Sequence, residues 1–351
     1  MNIASDHFKA AVKDLAAVAS GRTTLPILSC IHLEKVGDHL RMTATDLDQW
    51  LRLQIPAQGD LPKAICAPFS GIQSAAASLR GDVEISIAKD RLKIQSGFTA
   101  ELPTQAAEEF PTPPDTSKAQ AIKVPDLAAR IGQVAHAMCA DDGKPNLAGI
   151  HIAHRAGQSV IEATDGRKLA AVSVEWDGHP ELLLPRPAVK LAGHWAPAAN
   201  DLQLTDSHLI LAGDLQGTEF TCALRLLDLR FPNAGAMLGM ETKELGRVNS
   251  AEFQGLIKAA SRFVDENNLV DIEYDPFGIT VTTEGPHGKF KDRIDGKYRP
   301  SVHRMNCGFL IDSLAQCPID VELSEHGLEN AQSLKLESGN IVQMIAGARI
   351  N

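Results

Sequence analysis

Two stretches of this chain superpose without a gap at an offset of 119 residues, which narrows the possible folds more than any other feature. PILSCIHLEKVGDHLRMTATD (Pro26 to Asp46) lies over PNLAGIHIAHRAGQSVIEATD (Pro145 to Asp165), pairing Pro26 with Pro145, Leu28 with Leu147, Ile31 with Ile150 and His32 with His151. The match closes on Ala44-Thr45-Asp46 over Ala163-Thr164-Asp165. Upstream, the same offset sets FKAAVKDLAAVA over LAARIGQVAHAM, each with apolar residues at helical spacing. A weaker third copy begins at Phe253, where Leu269 and Ile272 are expected to fall where Leu147 and Ile150 fall. Dividing 351 residues by three gives 117, so three such units fill the chain.

Each unit also carries a second helix followed by strands. APFSGIQSAAASLRGD leads into VEISI and RLKIQSG, PRPAVKLAGHWAPAAND into LQL and HLILAG, and MNCGFLIDSLAQCPID into VEL and SLKLESG. Val83, Ile85 and Ile87 alternate as a half-buried strand requires, and Lys89-Asp90 supplies a turn. Phe-Pro pairs at Phe110-Pro111 and Phe231-Pro232 close the first two units, and linker-like stretches follow. The expected domains are therefore 1–118, 119–243 and 244–351, in an α+β fold.

Composition sets outer limits. Hydrophobic residues at 44% and charged residues at 22% are ordinary for a globular protein, and no apolar run approaches the ~18–20 residues that span a bilayer. The N-terminal segment is amphipathic and does not read as a signal peptide, so the expected compartment is the cytoplasm. Cys30, Cys66, Cys139, Cys222, Cys307 and Cys317 show no CxxC pairing and are expected to be reduced core residues rather than metal ligands. The net charge of −10 argues against coating nucleic acid over the whole surface, but leaves room for a locally basic channel.

No catalytic constellation is present. GxxxxGK[ST], GxGxxG after a strand, GxSxG and HExxH are all missing, and Gly143-Lys144 runs into Pro145. His32 and His151 hold equivalent strand positions, which points to a shared structural role. Asp46 and Asp165 recur in turns, where an aspartate binds its own backbone.

The three units, the GRTTLPILS segment, the ATDGRKLA motif and the terminal QMIAGARIN together resemble the bacterial DNA polymerase III β subunit family, the sliding clamps. The resemblance covers essentially the whole chain. It implies a ring of two chains, each giving three similar domains, with sheets outside and helices around a hole that passes duplex DNA. It implies no catalysis and no cofactor. The family tethers the replicative polymerase to its template, and its partners, the clamp loader among them, dock through short linear peptides. Tethering replaces repeated encounters by a high local concentration.

On lining helices, Lys9, Lys13, Arg130, Lys190 and Lys258, with Arg22 and Arg80 just after helices, would give phosphate-directed contacts without sequence preference. Arg22 stands in the family's GR-x-TLP segment near the DNA. Lys144 matches a basic position of a DNA-facing loop whose aromatics are replaced here by Pro145 and Asn146. The resemblance further implies a peptide pocket of Leu147, Thr164, Gly166, Arg167, Lys168, Leu169, Pro232, Met237, Asn306, Phe309, Met344, Ile345 and Ala346, with Arg349 near the terminus. Lys168 replaces the family's arginine, Ala346-Gly347-Ala348 a Met-Pro-Met-like run, and Ala236 a basic residue, giving a wider and less apolar pocket. Leu102 on one side and Phe263 with Val264 on the other resemble the family's head-to-tail contact.

Two other readings stay open at this level. One is a divergent clamp-like copy that binds or sequesters partners without a full replicative role, which the altered C-terminal run favours. The other is an enzyme on a repeated scaffold, which the missing constellation disfavours.

Overall fold

The repeat becomes visible as a recurring order of elements in the computed structural model, which describes residues 1–19, 23–155, 157–176, 181–328 and 331–349. The first copy runs β1 (Asn2–Ile3), α1 (Ser5–Leu15), β2 (Cys30–Val36), β3 (His39–Thr45), β4 (Gln49–Pro56), β5 (Ile65–Pro68), α2 (Phe69–Ala77), β6 (Val83–Ala88), β7 (Arg91–Gln95), β8 (Thr99–Pro103) and β9 (Gln105–Ala106). The second runs β10 (Gln120–Ile122), α3 (Leu127–Ala135), β11 (Gly149–Arg155), β12 (Gln158–Thr164), β13 (Lys168–Val174), β14 (Leu182–Pro185), α4 (Arg186–Trp195), β15 (Ala199–Leu204), β16 (His208–Leu215) and β17 (Thr218–Arg225). After a short α5 (Ala234–Leu238), the third runs β18 (Lys243–Asn249), α6 (Ser250–Ala260), β19 (Leu269–Asp275), β20 (Gly278–Gly285), β21 (Gly288–Asp295), β22 (Ser301–Asn306), α7 (Cys307–Leu314), β23 (Asp320–Leu328), β24 (Ala331–Ser338) and β25 (Ile341–Ala346).

Strands β2, β3 and β4 begin 119 residues before β11, β12 and β13, as the sequence repeat requires. The third copy corrects one detail. β19 begins at Leu269 as β11 begins at Gly149, so Ile272 is level with Ile152 rather than Ile150. The sequence alignment was two residues out of step, and a slip of two keeps every side chain on its own sheet face, so alternation alone cannot detect it.

The chain divides into two compact units, Met1–Lys123 with Lys190–Leu226, and Val124–Val189 with Leu227–Asn351. The first holds a four-stranded sheet, β1-β6-β7-β8, and a nine-stranded sheet, β10-β15-β16-β17-β4-β3-β2-β5-β9. The second holds an eight-stranded sheet, β14-β11-β12-β13-β25-β24-β23-β18, and a four-stranded sheet, β21-β20-β19-β22. All these pairings are antiparallel.

The long sheets arise because the strand that closes one repeat, β17 or β25, pairs with the fourth strand of the repeat before it. In the first unit β17 joins β4, with Ala223 opposite Trp50; in the second β25 joins β13, with Met344 opposite Leu169. Trp50 and Leu169 are 119 residues apart, so the two seams are equivalent. In sequence order the remaining pair of this kind is β8 and β21, and among the described residues each has a strand neighbour on one side only.

Helices cover the sheets through one apolar stripe each. In α1, Phe8, Ala11, Val12 and Leu15 are buried at helical spacing, and α1 packs on α2 and against β3 and β4. In α6, Phe253, Leu256, Ile257 and Ala260 are buried, and α6 packs on α7. Asn249 caps α6 by accepting the Glu252 N–H, and Asn306 caps α7 by accepting the Phe309 N–H. The third repeat's core centres on Phe253, Ile272, Tyr274, Met305, Leu310 and Leu336. Fully burying each such side chain contributes about 1.5–3 kcal/mol.

The paired turn aspartates act on their own backbone. Asp46 accepts from the Asp48 and Gln49 N–H groups, and Asp165 from those of Arg167 and Lys168. The next residue needs a left-handed backbone, supplied freely by Gly166 (φ +90°) but at a cost of about 1–2 kcal/mol by Leu47 (φ +80°).

All six cysteines are buried and free. Burial pushes the Cys66 thiol up to about 12 and that of Cys317 to about 11, so neither forms thiolate near neutral pH. The folded protein is accordingly expected to leave Ellman's reagent uncoloured at pH 8, with six thiols released in denaturant; fast reaction in the native state would contradict this burial. Among the described residues no helix is long and apolar enough to cross a membrane.

Candidate functional site

The β13–β25 seam carries an apolar cluster at the surface of the second unit. Opposite residues in an antiparallel pair share a face, so Leu169 and Met344 stand side by side. Leu183 joins from β14, and Phe231 and Ala234 join from the segment after β17, with Leu227 and Leu238 packed at the side. Leu229, Met237 and Met240, close to Phe231 and Ala234 in the chain, are exposed apolar side chains.

The residues expected in the pocket take different places around this cluster. Thr164 donates to the Lys168 carbonyl (2.7 Å) and accepts the Gly166 N–H (3.1 Å), which shapes the β12–β13 turn. Arg167 is exposed, and its carbonyl accepts the Ala346 N–H at 2.8 Å. Lys168 is nearly buried; its Nζ lies 3.9 Å from Asp312 and 4.9 Å from the centre of the Phe309 ring. Its charge braces α7 against β13. Pro232 and Met237 are exposed, and Asn306 is the α7 cap. Leu147 is half-buried in a loop whose Asn146 amide donates to the Arg230 carbonyl, next to Phe231.

Successive residues of β25 point to opposite faces, which separates three expected neighbours. Met344 belongs to the apolar cluster, whereas Ile345 is fully buried in the third repeat's core. Ala346 returns to the face of Met344 and is exposed. Beyond it, the Gly347 N–H donates to the Gln332 carbonyl (3.0 Å) and the Ala348 N–H to that of Arg304 (2.7 Å), and Arg349 is exposed.

Sequence reasoning missed Phe231, Leu183, Ala234 and Asp312 as contributors. Phe231-Pro232 was read only as a boundary, although its recurrence carried a signal. His32 packs its ring on Phe110 and His151 on Phe231, so the paired histidines share a packing role.

The basic candidates lie on helix faces or just after them. In the first unit Lys9 and Lys13 are exposed one turn apart on α1, Lys190 is exposed on α4, and Arg80 is exposed after α2. His194 on α4 lies 3.7 Å from Asp14, whose carboxyl burial pushes above the usual range despite His194 and Lys13. In the second unit Lys258 is exposed on α6 and donates to Gln254 (2.8 Å), Arg130 is half-buried and donates to Gln133 (3.3 Å), and Lys144 is exposed in its loop. Arg22 lies outside the described residues.

The interface candidates lie at or beside the two one-sided strands. Leu102 on β8 is half-buried against Gly71 of α2, where an added Cβ would meet its Cδ2 at 2.6 Å. Phe263 and Val264 follow α6 and are half-buried; the Phe263 ring centre is 5.6 Å from that of Phe290 on β21.

Known proteins match along the whole chain. Residues 1–114 match the sequence profile of the DNA polymerase III beta subunit, N-terminal domain. A beta sliding clamp of Caulobacter vibrioides (strain NA1000 / CB15N) is 25% identical over 331 residues, covering 87% of each protein. In fold, the DNA polymerase III subunit beta from Pseudomonas aeruginosa superposes with a TM-score of 0.87 at 19% identity, covering both chains completely. The DNA polymerase sliding clamp from Bacillus subtilis does so at 0.87 and 23% identity, covering 100% of this chain and 99% of that one. Its repeat, its N-terminal profile, its near full-length relative and its fold agree in making the chain similar to the bacterial DNA polymerase III β subunits, the sliding clamps.

Proposed function

We propose that this protein is a DNA sliding clamp: two copies close head to tail around duplex DNA and hold the replicative polymerase and other DNA-handling proteins to the template. The observation that carries this reading is the unfinished seam. One chain makes the same inter-repeat strand pairing twice, at β4–β17 and β13–β25, and leaves β8 and β21 open. An open edge is a template for another strand. A second copy offers β21 to β8 and β8 to β21, so two equal contacts close the ring with no edge of this kind left over. Leu102 and the Phe263–Val264 pair then meet across each junction.

In this reading the three domains are 1–118, 119–243 and 244–351, and the protein works in the cytoplasm without catalysis or cofactor. Lys9, Lys13, Arg80, Arg130, Lys144, Lys190 and Lys258, together with Arg22, offer phosphates a sequence-independent attraction that permits sliding. The groove over Leu169 and Met344 takes short apolar peptides from the polymerase and the clamp loader, a mode in which pockets give specificity. Only the altered C-terminal run points toward a divergent copy, and nothing in the likeness to known clamps adds to it.

The test is topological. Light scattering is expected to give twice 37.7 kDa, and protein loaded on nicked circular DNA by a clamp loader with ATP should leave once the circle is cut. A monomer that never loads, or retention that ignores the cut, contradicts the proposal.

A further inference from the structure

We propose that a buried His151–Glu162 pair sets the position of Phe231 and thereby controls how tightly the groove holds an apolar peptide; this rests on the peptide-groove reading above. His151 on β11 and Glu162 on β12 are directly opposite in the sheet. Nδ1 of the imidazole lies 2.8 Å from Glu162 Oε1, with the two side chains 8% and 0% exposed. One hydrogen bond joins the two atoms, whichever of them carries the hydrogen, and it pins the ring plane. On the other side, Nε2 lies 3.7 Å from the largely exposed Glu181.

The pinned ring is a platform for Phe231. The two rings stack with centroids 4.6 Å apart and planes 19° from parallel. Phe231 in turn belongs to the cluster with Leu169 and Met344, so the angle of its ring sets one wall of the groove. A chain of contact runs from Glu162 through His151 and Phe231 to the apolar floor.

The other repeats show that the scaffold does not need this pair. At the equivalent position of the first copy, His32 faces Thr43; its ring lies 5.3 Å from Phe110 with a looser 36° tilt, and burial holds its pKa below the ordinary range. In the third copy the position holds Asp271, opposite Thr282 and forked to Arg304. The same hairpin thus forms with threonine opposite, whereas burying an ionisable pair carries a desolvation cost. The carboxylate faces a histidine only in the copy whose Phe-Pro aromatic walls the β13–β25 groove. Glu162 and His151 are positioning residues, acting through Phe231.

The experiment is fluorescence anisotropy of a fluorescein-labelled synthetic peptide copied from the host's replicative polymerase, titrated with full-length protein. Glu162→Leu, which removes the polar partner of Nδ1, and His151→Asn are each expected to weaken binding about tenfold while the dimer's mass is unchanged. Combined with Phe231→Leu, either substitution should add little, because both act through one ring. The ¹³C-histidine spectrum carries the matching signature: a His151 resonance shifted by the Phe231 ring, displaced in Glu162→Leu and again on adding peptide. Affinity within twofold of the parent in both variants, or fully additive losses with Phe231→Leu, overturns the inference while the groove stands. Failure of the unaltered protein to bind the peptide overturns the groove reading and this inference with it.

Discussion

Leu102→Asp is expected to turn a dimer of twice 37.7 kDa into a monomer that no longer stays on circular DNA. Leu102 sits on β8, whose outer edge has no strand partner among the described residues. In the ring proposed above, its side chain would meet the Phe263–Val264 corner beside β21. A carboxylate there must give up water without gaining a cation, a cost of several kcal/mol against an interface that must also overcome the entropy of association. A loss of about 3 kcal/mol weakens dimerisation roughly 150-fold. Within the chain the residue is half-buried against Gly71, so part of the loss falls on the fold itself. Circular dichroism separates the two effects: native strand content with halved mass is the expected result. An unchanged mass by sedimentation would remove β8 from the interface.

Ala346→Glu should weaken peptide binding about 100-fold with little effect on stability. Ala346 is exposed, and strand alternation puts it on the face of Met344, so its methyl points along the apolar floor. Its backbone N–H donates to the Arg167 carbonyl, a bond that substitution of the side chain leaves in place. A glutamate there fills the groove and carries a charge that a docked apolar side chain would have to desolvate. The expected loss is about 100-fold in affinity, or roughly 2.7 kcal/mol, with the melting temperature almost unchanged. Binding at parental strength would show that peptides do not cross Ala346. Ile345→Ala, one residue earlier, offers the contrast: it cuts into the third repeat's core and should destabilise the fold by roughly 2–5 kcal/mol.

That contrast shows where sequence reading stops. Ile345 and Ala346 are neighbours in QMIAGARIN, and the family resemblance assigns both to one pocket. Which of them faces the groove depends on the register of β25 against β13, and register is a property of the pair. Lys168 is a second example. Its position in ATDGRKLA marks a pocket basic residue, yet its amine lies between Asp312 and Phe309, over 140 residues further along the chain. Asp312 carries no signal in the sequence because its only claim is proximity. Phe231 was legible as half of a recurring Phe-Pro pair, but its stacking on His151 was not.

By itself the sequence determined the repeat, the order of helices and strands within it, the turn aspartates and the buried cysteines, because each rests on local chemistry or on spacing that the chain displays along its own length. The tertiary structure decided the rest: the two-residue correction in the third copy, the joining of β17 to β4 and β25 to β13, the open edges at β8 and β21, and the buried His151–Glu162 pair. These depend on side chains and strand edges brought together from distant segments. Alternation of apolar and polar residues states which face of a strand is buried, but not which strand lies beside it.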